Sequence, residues 1–263
     1  MIFYQSKTAR IFISILLICT CFLMAGCLRV EAHRELPVES SDQTTEPPAP
    51  EVDDRPRVAL TFDDGPHNIR TKLIVDELDK YGYHATFFVV GNRVDGTAYN
   101  GGSAMVYAAE HGNEIGIHGY THNVYYDECS DAEYECEITS TLHAIQSKIP
   151  EYEVHVMRPI GGGISSERAA ESPYAVVKWN VDTLDWNLAY PEKDAEGINT
   201  IVENALANIE DGDIILMHDI YNNTYEATVI ILKRLDEMGY NVVTVSELLG
   251  DDFCPGEIYT KAP

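Results

Sequence analysis

Two carboxylates stand side by side in Thr61-Phe62-Asp63-Asp64-Gly65-Pro66, where an apolar run gives way to a Gly-Pro turn. Adjacent carboxylates repel each other and are costly to hold together unless a cation shares the space. Downstream, His118-Gly119-Tyr120-Thr121-His122 carries two imidazoles at i and i+4, a spacing that lets both reach one ion from the same side of a helical turn. One carboxylate and two imidazoles form a donor set for a divalent metal, and the other carboxylate is then free to act as a base. A metal that brings the pKa of water toward neutrality beside such a base makes a hydrolytic centre. Taken singly, each motif has a plainer use: Asp-Asp-Gly-Pro is good turn chemistry, and two histidines four apart can simply share a polar face.

The elements that must position these residues follow from the hydrophobic pattern. Short apolar runs at 57–62, 85–90, 114–117, 153–158, 175–181, 213–217 and 241–245 read as strands. Amphipathic stretches at 69–81, 102–111, 131–148, 195–209 and 224–238 read as the helices between them. Gly82, Gly112, Gly212 and Gly239 stand where helix ends or tight turns want a glycine. Strands alternating with helices argue for a parallel sheet with helical crossovers. Asp63 and Asp64 then follow the first strand, His118 the third, Arg158 the fourth, Asp185 the fifth and His218 the sixth. Polar residues gathered at the carboxyl ends of several parallel strands are the pattern of a site at a barrel mouth.

Five motifs stand in order: the Asp-Asp segment, the His-His segment, Arg158-Pro159-Ile160-Gly161-Gly162, Asp182-Thr183-Leu184-Asp185-Trp186 and Leu216-Met217-His218-Asp219. Together with Ala85-Thr86-Phe87-Phe88, they resemble the polysaccharide deacetylases of carbohydrate esterase family 4, the NodB-type fold, over about residues 57–249. The resemblance implies an α/β fold, a distorted, TIM-barrel-like (β/α)7 barrel of parallel strands, and a hydrolase that removes acetyl groups from a glycan. Carried over position by position, it makes Asp64, His118 and His122 the metal ligands. Zinc is the first expectation, with cobalt, nickel or manganese as alternatives. Asp63 becomes the general base, oriented by Arg158, and His218 the general acid, held by Asp185. The Gly161 N–H would meet the oxyanion, and Trp186 and Leu216 would be apolar walls, Leu216 near the acetyl methyl. The chain departs from the family in two places. Gly119 stands where a Ser or Thr is usual, which removes one hydrogen bond from the metal loop, and Ile160-Gly161 replaces a common Pro-Tyr.

The N-terminus reads as an export signal over residues 1–26. Lys7 and Arg10 precede an apolar run at 11–24, and no acidic residue occurs before Glu31. Leu23-Met24-Ala25-Gly26-Cys27 resembles the lipobox of bacterial lipoproteins, which would make Cys27 the lipidated first residue of the mature chain. Residues 27–56, rich in Glu, Pro, Ser and Thr, read as a tether, and 57–263 as the deacetylase domain. Acidic residues number 43 against 18 basic, a formal charge of -25, which excludes nucleic acid as a natural partner. Of the domain's cysteines, Cys129 and Cys136 lie closest, but Ser130-Asp131-Ala132-Glu133 between them reads as a capping box, whose helix would fix their separation. His67, His84, His111, His143 and His155 lack partner spacing, His67 being the one nearest a motif.

These observations converge on an exported, monomeric, metal-dependent deacetylase, lipid-anchored at the outer face of the cell membrane or else secreted. Its expected substrate is the N-acetylglucosamine of peptidoglycan, the first polymer a tethered enzyme outside a bacterial membrane meets. Chitin-like oligomers and acetylated xylan are the alternatives within the same chemistry. A catalytically silent glycan-binding lipoprotein on the same scaffold is the alternative outside it.

Overall fold

The computed structural model describes residues 53–96, 100–188, 193–251 and 253–263. The signal, Cys27 and the tether up to residue 52 lie outside these. The described part is built on a parallel sheet: β1 (Arg57–Asp63), β2 (Thr86–Val89), β3 (Glu114–Ile117), β4 (Val156–Met157), β5 (Ala175–Val177), β6 (Val181–Asp182), β7 (Ile214–His218), β8 (Asn241–Val242) and β9 (Ile258–Tyr259). Around it run α1 (Arg70–Asp79), α2 (Gly91–Asp95), α3 (Gly102–Glu110), α4 (Asp131–Gln146), α5 (Ser166–Ala170), α6 (Ala195–Leu206), α7 (Asn222–Glu237) and α8 (Val245–Leu249). The long helices match the sequence expectation to within a few residues. The short α2, α5 and α8 and the strand β9 carry too little periodicity to have been read from it.

Hydrogen bonds order the strands β6-β7-β1-β2-β3-β4-β5-β9, with β8 also on β1, and every strand pairing is parallel. The stretch expected as one strand at 175–181 is two, and they stand at opposite ends of most of that order: β5 pairs with β4, and β6 pairs with β7. Only residues 178–180 separate them, so the chain itself bridges the sheet and closes a distorted barrel. At the bend the Asn180 side chain takes over the ladder, accepting the Ile214 N–H at 2.9 Å and donating to Asp213 at 2.7 Å. Counting β5 and β6 as one bent strand and setting β9 aside, the seven parallel strands expected are present, six around the ring and β8 paired beside the start of β1.

Side-chain alternation then decides what each residue faces. Val58, Leu60 and Phe62 of β1 join Ile115, Ile117, Met157, Ile215 and Met217 in the layer under the helices, where Phe62 stacks on Phe87 at 5.1 Å. Ala59, Phe88, Val156, Ala175, Val177 and Ile214 form a separate inner cluster, joined by Val245, Leu248 and Leu249 of α8. The parity that puts Ala59 inside also puts Thr61 and Asp63 inside. The same holds for Arg158 after Val156, and for Leu216 and His218 after Ile214. From Val58 to Asp63 every residue of β1 is buried, as a strand covered on both faces requires.

Candidate active site

Asp63 is the last residue of β1, and the backbone then turns left-handed at Asp64, with φ 68°. Asp is among the residues that tolerate this region. Gly65 follows in contact with the buried carboxyl of Asp219, into which any side chain at 65 would run. His118 comes directly after β3. The segment from His118 to His122 is not the helical turn that the i, i+4 spacing suggested. Gly119 (φ 77°) and His122 (φ 61°) are both left-handed, and the loop curls so that the two rings lie 5.3 Å apart. Positive φ at Asp64 and His122 is strain held where the two would share a ligand.

One donor atom from each of Asp64, His118 and His122 lies within 4.8 Å of the others. His118 donates its Nδ1–H to the Arg158 carbonyl at 2.9 Å, which leaves Nε2 as a bare acceptor in the neutral ring. That nitrogen is 3.4 Å from Asp64 Oδ1 and 3.7 Å from Asp63 Oδ2, and His122 Nε2 approaches the same Asp64 oxygen at 2.8 Å. Asp64 Oδ1 is buried and receives no properly directed hydrogen bond. Lone pairs converging without a donor are stable only around a cation, so the set fits a divalent ion. Without one a proton substitutes: burial opposes a charged His118, but Asp63 and Asp64 outweigh it and raise the ring above its ordinary value. Burial likewise works against an ionised Asp64, yet the close approach of the His118 and His122 rings and their charges hold it well below the usual carboxylate range.

Asp63 faces a different partner. Its Oδ1 accepts from Arg158 Nη1 at 2.8 Å. The guanidinium is fully buried and also donates to Thr61 Oγ1 (2.7 Å), Val177 O (3.0 Å) and Lys178 O (2.9 Å). It lies 4.2 Å above the Phe88 ring centroid. Arg158 thus ties β1 to the bend that closes the barrel and leaves Asp63 Oδ2 turned toward the His118 side.

Across the β1–β7 ladder, Asp63 pairs in register with His218. The Asp185 carboxylate, fully buried, accepts His218 Nδ1 at 2.8 Å, the His218 backbone N–H at 2.7 Å and the Thr224 hydroxyl at 2.6 Å. Burial alone would lower His218, but its hydrogen bond with Asp185 and the charges of Asp185, Asp63 and Asp64 raise it to about 9. The ring is therefore an imidazolium at neutral pH, able to give up a proton from Nε2.

The turn Ile160–Gly162 follows β4, with Gly161 and Gly162 at φ 62° and 75°. The Gly162 and Gly163 N–H groups are taken by the Pro159 and Ile160 carbonyls, while that of Gly161 has no acceptor among the described residues. Leu216 is buried in β7, and Trp186 is 52 % exposed beside Asp185. Of the tyrosines near the second motif, Tyr126 is buried, whereas Tyr125 is 56 % exposed with its Cε1 3.5 Å from where a Gly161 Cβ would be. His67 does not stand free: its Nδ1 accepts the Ile69 and Arg70 N–H groups at the start of α1.

Sequence reasoning gave no part to Thr61, Thr224, Glu137 or Asp219. Thr61 and Thr224 carry no local signal beyond their place in the elements. Asp219 had one, its position beside His218: it is fully buried, takes the Thr71 hydroxyl, and is pushed up to about 7 by burial, with Asp64 adding to the shift and Thr71 opposing it. The expected capping box at Ser130 and Glu133 starts α4, and neither Cys129 nor Cys136 is in a disulfide among the described residues.

A sequence model of the polysaccharide deacetylase family matches residues 51–176. Among curated relatives, the peptidoglycan-N-acetylmuramic acid deacetylase PdaC of Bacillus subtilis is 38 % identical over 191 residues, 73 % of this chain and 38 % of that protein. The chain thus spans well under half the length of that relative. A peptidoglycan-N-acetylglucosamine deacetylase of Bacillus cereus is 36 % identical over 200 residues, 73 % of this chain and 87 % of the relative. A family 4 acetyl xylan esterase from Clostridium thermocellum, solved in complex with a cobalt ion, superposes with a TM-score of 0.69 at 29 % identity, covering 79 % of this chain and 99 % of the other.

Proposed function

The chain belongs to the polysaccharide deacetylase family, and from that premise we propose that it hydrolyses the acetamide of an N-acetylated cell-surface glycan, N-acetylglucosamine of peptidoglycan first, to acetate and a free amine. The observation that carries the reading is the pairing of Asp63 and His218 on neighbouring strands, beside the Asp64, His118 and His122 cluster. Adjacent strands stand about 5 Å apart, a separation that lets one acetamide lie between a base and an acid. Asp64, His118 and His122 would hold a divalent metal, zinc before cobalt, nickel or manganese. Such an ion, when bound, supplies Lewis acidity toward water and the acetyl carbonyl.

The protein's own groups divide the remaining work. Asp63 takes the proton of the attacking water at Oδ2, since Oδ1 is fixed by Arg158. The Gly161 N–H meets the developing oxyanion. His218 protonates the departing nitrogen as the carbon–nitrogen bond breaks, and Asp185 holds the ring for that transfer. Leu216, Trp186 and Tyr125 line the approach, and the exposed faces of Trp186 and Tyr125 suit a sugar ring. The complete set of proton-transfer groups favours an enzyme over a silent glycan binder. We further propose that the chain is exported and held at the outer face of the membrane by lipid on Cys27, the reading supported by Lys7, Arg10 and the apolar run at 11–24.

The roles fix a pH dependence. His218 acts in its protonated form, so kcat/KM falls as pH rises through about 9. Asp185→Asn removes the charge that raises the ring and leaves the burial that lowers it. The alkaline limb is then expected to move down by about 1–3 pH units, as pH–rate profiles of the two proteins will show. The substrate reading is tested by acetate release from peptidoglycan, N-acetylated chitooligosaccharides and acetylated xylan side by side. Peptidoglycan is expected to lead, with the new amine on glucosamine by mass spectrometry of its fragments; an amine on the muramic acid moves the site to the other sugar, and release from xylan alone contradicts the amide reading.

A further inference from the structure

The loop between the two histidine ligands is held by a residue far from the motif. Glu137, in the second turn of α4, is buried, with both carboxylate oxygens turned to that loop. Its Oε2 accepts the N–H of Tyr120 at 2.6 Å and of Thr121 at 2.8 Å, and its Oε1 accepts the Thr121 hydroxyl at 2.7 Å. Thr121 Oγ1 in turn accepts the N–H of Asn123 at 3.3 Å. Both residues between Gly119 and His122 are therefore fixed by one side chain.

The space at Gly119 is closed by the same arrangement. A Cβ there would stand 3.0 Å from Tyr126 Oη, 3.1 Å from Glu137 Oε2 and 3.2 Å from Ile160 Cδ1, on a backbone already left-handed. A side chain at 119 would be strained on this backbone and would need its neighbours to give by a few tenths of an ångström, so glycine suits the loop as it is folded. Three direct hydrogen bonds from α4 hold the two positions that follow.

We propose that Glu137 is a positioning residue for the metal ligands, setting the separation and facing of His118 and His122 through the Tyr120 and Thr121 amides. The inference rests on the reading that Asp64, His118 and His122 bind a divalent cation. A carboxylate that accepts two amides and a hydroxyl fixes the loop by geometry, so oxygen placement is what affinity depends on. Glu137→Gln keeps an oxygen for the two amides and an NH2 to donate to Thr121 Oγ1. Glu137→Asp keeps the charge but withdraws the oxygens by one methylene.

The test is Zn2+ affinity by competition with a chromophoric chelator, alongside the thermal midpoint of each metal-free protein. Supporting outcomes are a Gln variant within about threefold of the wild type and an Asp variant weaker by about 10- to 100-fold, the loss typical when an outer partner of a metal ligand is removed. An Asp variant with unchanged affinity overturns the proposal, even with a lowered metal-free midpoint, because Glu137 then supports only the fold. A Gln variant as weak as the Asp variant also overturns it, since charge and not placement would be responsible. A wild type that binds no Zn2+ overturns both the metal reading and this inference, whereas wild-type binding with unchanged variants overturns the inference alone.

Discussion

Asp63→Asn is expected to lower kcat on an N-acetylated glycan by about 10²- to 10⁴-fold, the range that a positioned general base contributes. The substitution is nearly isosteric, and the amide oxygen can still accept from Arg158 Nη1, now 2.8 Å from Oδ1. What changes is the other atom, where an acceptor facing the water becomes an NH2 donor. Asp64, His118 and His122 are untouched, so the proposed metal site is kept and the loss is expected on kcat and not on KM. Steady-state kinetics with metal supplied in excess is the measurement. A variant within tenfold of the wild type removes Asp63 from the role of base.

Arg158→Met is expected to cost about 3–5 kcal/mol of stability, the usual consequence of removing one partner from a buried ion pair. The guanidinium is fully buried, Asp63 is nearly so, and two main-chain carbonyls at the barrel bend also depend on it. Met fills much of the volume over Phe88 but offers no donor, leaving a carboxylate and those carbonyls unpaired away from water. Lys is no substitute, since one ammonium does not span Thr61, Asp63 and the bend as the planar fork does. The pair should be coupled: adding Asp63→Asn to Arg158→Met should cost less than it does in the wild type, because the orphaned charge is gone. Urea unfolding of the four proteins of that cycle gives both numbers. Additive losses would mean that Arg158 stabilises the barrel without regard to Asp63.

Much of this arrangement was legible in the sequence because it rests on periodicity. Alternation in β1 and β7 sets Asp63, Leu216 and His218 on the inner face, and strand ends bring the motifs together, so order along the chain sufficed to group them. The bend at residues 178–180 was not legible, since a continuous apolar run does not say which neighbour each half pairs with. The loop from His118 to His122 misled for a related reason: i, i+4 spacing suits a helical turn, yet two left-handed residues achieve the same approach. Glu137 was invisible because it is one of four acidic residues within α4, and only tertiary packing turns it toward the metal loop. Asp185 was found by its motif, but its third partner, Thr224, lies one chain segment away on α7 with nothing local to mark it.

The most direct test of the central claim is acetate release from purified peptidoglycan by the full chain, as prepared, after removal of metal by a chelator, and after Zn2+ is returned. The account predicts release, its loss in the stripped protein, and its recovery with Zn2+. Release that persists undiminished without metal, or none from any N-acetylated glycan with metal supplied, would contradict it.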